Sequence, residues 1–159
     1  MDDLERSAYH EAGHAVATVI RGRKFLRLVS IAASIAHRGN TFHSSPGWND
    51  AFVAWAGPWA QAHAEWTGRP LERAGDEFTF EDYLAAAFLN GGHEDSQIVE
   101  QHFASMPWPS MRSGTERAWS MELTRMWPAI TEVAEWLLGG ERVTDQRIRD
   151  LTDVEMAFT

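Results

Sequence analysis

The chain has 159 residues, with 14 basic and 23 acidic side chains, a formal charge of −9 and no cysteine. That length suits one domain with a substantial core, and apolar and charged fractions of 44% and 23% are those of a globular chain, not a disordered one. Without cysteine, disulfide scaffolds, thiolate zinc fingers, iron–sulfur ligation and cysteine nucleophiles are excluded. The acidic balance argues against nucleic acid as a partner, because phosphate binding needs a basic surface. The N-terminus is acidic where a secretory signal would be basic. The uncharged run Ala51 to Ala64 is too short to span a bilayer and is interrupted by Gly57-Pro58. No membrane insertion and a cytoplasmic location are therefore expected.

In chain order, the spacing predicts a first helix over 3–21, with Asp2 or Asp3 as its cap, Leu4, Ala8, Ala12, Ala15 and Val19 at steps of three and four, and Gly22 as its stop. Residues 25–36 form a short apolar run with β-branched and aromatic members, which favours a strand, and 41–43 can return beside it after a turn at Arg38-Gly39-Asn40. A second helix is expected from Asn49 or Asp50 to Thr67, with Pro58 inside it removing a hydrogen bond or imposing a kink. A third runs from about Phe80 to Leu89, and a fourth from Glu94 or Asp95 to just before Met106-Pro107. Ser113 to Leu138 is expected as a long helix or a kinked pair broken at Pro128, and Thr144 can cap a last short helix through Leu151. The fold class is thus mainly α, α+β at most: a helical bundle with a small β-sheet or hairpin. No repeat or long linker divides it, so residues 1–159 are taken as a single domain.

His10-Glu11-Ala12-Gly13-His14 matches H-E-x-x-H inside the first predicted helix. Residues i and i+4 project from one helix face, so two imidazoles can grip one metal ion. A glutamate beside the first histidine can then serve water activated by that ion as general base. With this chain's histidine and glutamate content, chance predicts about 0.03 such matches, so coincidence is a poor account. Ala12, Gly13 and Ala15 are small enough to let another backbone approach closely. Zinc needs a third protein ligand, for which His37, His43, His63, His93, Glu94, Asp95 and His102 are candidates that spacing does not separate. His93-Glu94-Asp95 is the densest group, although Glu94 and Asp95 also suit the first turn of a helix on dipole grounds alone. His63 and His102, within helices, are expected to be packing residues.

Ala8-Tyr9-His10-Glu11-Ala12-Gly13-His14-Ala15 resembles the zinc-site helix of the FtsH-type, ATP-dependent zinc metalloproteases. In order along the chain, Lys24 to Ile31 resembles that family's following strand, Ala54 to Ala60 its Gly-rich helix, Gly91 to Ile98 the segment that supplies the third zinc ligand, and Val133 to Leu138 through Arg147 to Leu151 its closing helices. The resemblance implies a zinc metallopeptidase domain in which His10, His14 and Asp95 bind Zn²⁺ and Glu11 is the catalytic base. It also implies a peptide or protein substrate and an oligomer of the chain's own copies.

Three departures stand against it. No G-x-x-x-x-G-K-[ST] occurs, so an ATPase would have to be a separate partner. The turn at Arg38-Gly39-Asn40-Thr41 is short for a strand that holds extended peptide. Gln61 and Ala62 stand where the family tends to carry acidic residues, which puts a contact to a metal ligand in doubt. Together they leave a rival expectation: a metal-binding, catalytically impaired binding or regulatory module of the same fold. Trp48, Trp55, Trp59 and Trp66 would then offer a partner groove, although rings at this spacing more often form core.

Overall fold

The computed structural model describes residues 1–22, 50–68 and 78–157. The strands expected over 25–36 and 41–43 lie outside the described residues, as do His37, His43 and Trp48. Among the described residues every regular element is a helix, seven in all: α1 (Asp3–Ile20), α2 (Ala51–Thr67), α3 (Phe80–Asn90), α4 (His93–Ala104), α5 (Met111–Arg125), α6 (Trp127–Leu138) and α7 (Asp145–Ala157). The fold is mainly α. None of these helices is long and apolar enough to cross a membrane.

Local chemistry sets the helix ends. Asp2 caps α1 by accepting from the Glu5 N–H, while the Glu5 carboxylate accepts from the Asp2 N–H, a reciprocal box. Gly22 stops α1 at φ 71°, a conformation other residues adopt only under strain. Asp50 caps α2, and Thr79 with Asp82 forms a second reciprocal box at α3, which the sequence reading missed. The expected break at Pro128 falls at Met126, and Pro128 sits in the first turn of α6, where a missing N–H does least harm. The last helix runs six residues beyond the expected Leu151, to Ala157.

The central pair is α1 and α2. Glu11 through Val19 are buried without interruption, as are Ala51 through Ala60, so neither segment has a solvent face. α1 also packs on α6 and α7; α2 packs on α3, α4 and α5. Small residues permit the central contact. A Cβ on Gly13 would lie 2.4 Å from the Ala56 carbonyl oxygen and 2.7 Å from the Ala60 Cβ. The pair is antiparallel, because each step of four along α1 (Arg6, His10, His14) meets a step of four back along α2 (Glu65, Gln61, Gly57).

Aromatic side chains fill the space around α2. Trp55 and Trp59 are buried core residues, as their spacing suggested. The Trp119 ring packs against Phe52, Trp55 and Phe103, joining α2, α4 and α5. Arg21 ends α1 with its guanidinium 3.7 Å above the Phe52 ring and forked onto the Glu122 carboxylate.

Candidate metal centre

His10, Glu11 and His14 lie on α1, and Asp95 lies in the first turn of α4. His14 is buried, with Nδ1 2.8 Å from the Val53 carbonyl oxygen. A carbonyl oxygen only accepts, so His14 Nδ1 carries the proton and Nε2 faces the site. His10 repeats the arrangement, with Nδ1 3.2 Å from Gln61 Oε1. The His14 ring fits because position 57 has no side chain: a Cβ on Gly57 would stand 2.4 Å from His14 Nε2.

α4 reaches this point through the Gly91-Gly92 junction. Gly92 precedes the helix against the Pro58 ring, and a Cβ there would lie 3.1 Å from Pro58 Cγ. Asp95, Val99 and Phe103 then form the buried stripe of α4, at steps of four, and the first of them points at the histidines. Asp95 Oδ2 is 3.3 Å from His10 Nε2 and 3.4 Å from His14 Nε2, and the two Nε2 atoms are 3.1 Å apart.

These three separations test whether a metal fits. An ion with tetrahedral bonds of about 2.0–2.1 Å spaces its ligands by about 3.3 Å. The observed triangle matches one face of such a tetrahedron. It is the one group of three metal-ligating side chains among the described residues. The chemistry agrees with the spacing: two ring lone pairs and a carboxylate oxygen converge, an arrangement that requires a shared proton or a cation at its centre. In the metal-free protein the proton serves. Burial opposes a charged His14, but the Asp95 carboxylate, its hydrogen bond and Glu11 outweigh burial and push the ring up to about 9. Burial also opposes an ionised Asp95, yet His14 and His10 hold its carboxyl well below the usual carboxylate range.

Among the described residues, the other candidates stand outside this triad. His93 and Glu94 are exposed, and His93 pairs with Gln97. His63 is stacked on Trp59 with ring centres 4.7 Å apart and meets the Trp127 ring at 4.3 Å. His102 packs beside Phe103 and Trp119. Glu11 is buried beside the triad and lines a cleft of about 780 Å³, together with His10, Arg6, Gln61, Leu89 and His93. Gln61, one of the positions the sequence put in doubt, keeps a polar contact to His10 through its amide oxygen. The sequence carried a signal for it, since Gly57, Gln61 and Glu65 form one face of α2 at steps of four. Neither a family model, nor a curated protein, nor a solved structure matches this chain.

Proposed function

We propose that the chain is a zinc-dependent metallopeptidase-like domain, the reading implied by the resemblance of its H-E-x-x-H segment and the motifs after it to the FtsH-type zinc metalloproteases. The observation that carries this reading is the convergence of His10 Nε2, His14 Nε2 and Asp95 Oδ2 on one point beside Glu11, at the wall of an open cleft. Two imidazoles and a carboxylate also suit iron(II); the glutamate next to the first histidine favours hydrolysis with zinc.

When bound, the ion supplies a Lewis acid that brings the pKa of a water toward about 7 and polarises a carbonyl. The remaining work belongs to this chain. His10 and His14 present Nε2 because their Nδ1 protons are engaged by Gln61 and Val53. Glu11 accepts the proton of the water as its oxygen bonds to the scissile carbonyl carbon, then delivers it to the amine nitrogen as the C–N bond breaks. The cleft gives a peptide or protein substrate access. The small β-sheet expected over 25–36 and 41–43 belongs to this reading. So do a cytoplasmic location, an oligomer of the chain's own copies and a separate ATPase.

The test pairs elemental analysis with a peptide-cleavage assay on tag-free protein. Wild type should carry one zinc per chain and cleave unfolded protein; Glu11→Gln should keep the zinc and lose turnover. Equal hydrolysis by Glu11→Gln would overturn the assignment of the base. One zinc with no hydrolysis in wild type would replace the enzyme with the metal-stabilised binding module.

A further inference from the structure

His10 and His14 look equivalent in the sequence, but the structure orients them by different means. His14 donates to a backbone carbonyl inside α2, an acceptor that no side-chain substitution removes. His10 depends on a side chain, Gln61, whose amide has both an acceptor and a donor end. Turned one way it fixes the His10 proton on Nδ1. Turned the other way, its NH₂ group would face His10 Nδ1 and drive the proton to Nε2, the nitrogen that faces Asp95.

We propose that Gln61 is a positioning residue, whose Oε1 holds the His10 proton on Nδ1 and so turns the Nε2 lone pair to the metal, and that Glu65 and Arg6 lock the amide in that sense. Gln61 Nε2 lies 3.4 Å from Glu65 Oε1, which as a carboxylate oxygen can only accept. That same Oε1 takes the Arg6 Nε–H at 2.9 Å, and the Arg6 guanidinium is held from its other side by Asp3 at 2.8 Å. The order runs Asp3, Arg6, Glu65, Gln61, His10, with every donor facing an acceptor. A flipped Gln61 amide would place its oxygen against the Glu65 carboxylate, a repulsive contact whichever nitrogen of His10 carries the proton, so Glu65 selects the orientation in which Oε1 faces His10. Asp3, Arg6, Gln61 and Glu65 all line the cleft that leads to His10. The metal role rests on the zinc reading above, whereas the tautomer is a property of the metal-free protein as well.

The test follows both. In the metal-free protein in mildly alkaline solution, the imidazole ¹⁵N shifts of His10 and His14 are read for wild type and Gln61→Met, a substitution of similar volume without hydrogen-bonding atoms. His10 should change from the Nδ1–H form to a mixture while His14, held by Val53, stays as it was. A general loosening of the fold would move both rings. Zinc affinity, measured by competition with a chromophoric chelator, should fall roughly 10- to 100-fold in Gln61→Met. It should recover to within about threefold of wild type in Gln61→Glu, which restores the acceptor. Glu65→Leu should weaken zinc about threefold to tenfold by freeing the amide to turn. A His10 tautomer unchanged in Gln61→Met overturns the proposal, as does unchanged zinc affinity in that variant. Failure of wild type to take up zinc would remove the metallopeptidase reading, and the nitrogen shifts would still decide the role of Gln61.

Discussion

Two histidines withdrawn from water, His14 and His63, behave in opposite ways. His63 lies among the rings of Trp59, Trp66, Phe80 and Trp127. Burial there lowers its pKa, because nothing apolar compensates a charged ring. His14 is more deeply buried, yet its pKa is pushed up to about 9, because Asp95 and Glu11 face it. Burial alone therefore says little about what a histidine is for. The groups that converge on its second nitrogen decide: rings mark a packing residue, and a carboxylate with another imidazole marks a candidate ligand.

The largest effect that could break this contrast is on metal content. His14→Ala should lower zinc affinity by on the order of a thousandfold, whereas His63→Phe should leave it unchanged. Equal losses in both would mean that zinc retention follows general stability and not this triad. Gly57→Ala tests the same ring from the neighbouring helix. The added methyl must displace His14, since its Cβ would stand 2.4 Å from Nε2. Zinc affinity should drop roughly tenfold or more, with a stability loss of about 1–3 kcal/mol seen in urea melts.

The pH dependence sharpens the comparison, because the two rings carry opposite signs. In the metal-free protein the folded pKa of His14 lies above its ordinary 6.5. Its contribution is therefore complete below about 6.5 and is lost as pH rises through about 9, a fall on the order of 3 kcal/mol. The lowered pKa of His63 acts the other way: stability is lost as pH drops below 6.5, because the unfolded chain binds the proton more readily. Urea melts across pH should show the alkaline loss vanish in His14→Ala and the acid-side loss shrink in His63→Phe. Zinc must displace the His14 proton, so its apparent affinity should climb with pH up to about 9. The smallest effect belongs to a change that touches neither ring. Asp2→Ala removes the α1 cap and should cost about 1 kcal/mol in the same melts without altering zinc stoichiometry.

Much of the helical frame was legible because its punctuation is local. Asp2, Asp50, Gly68 and Pro128 act within one turn of where they stand, and the observed ends of α1, α2 and α6 follow them. The end of α7 was placed too early at Leu151: Val154 continues the helical spacing of Ile148 and Leu151, but it and Met156 are exposed, so no buried apolar face marks the added turns. At the site, H-E-x-x-H is local and was visible. Spacing did not choose a candidate third ligand, since His93, Glu94 and Asp95 are adjacent and all can bind metal. The spacing of Asp95, Val99 and Phe103 held the distinction: only Asp95 shares the buried stripe of α4. Gln61 was harder to read, because its importance lies in which atom of another helix it meets.

The three candidate ligands are also far apart along the chain. His10 and His14 belong to the first helix, while Asp95 follows only after α2 and α3. During synthesis on the ribosome, H-E-x-x-H emerges long before its third donor and can hold an ion by two nitrogens at most. A metal bound at this triad would be held tightly only after α2 has docked along α1 and brought the Gly91-Gly92 corner over Pro58. The metal would thus arrive as the seal on a finished chain rather than as the seed around which the chain folds.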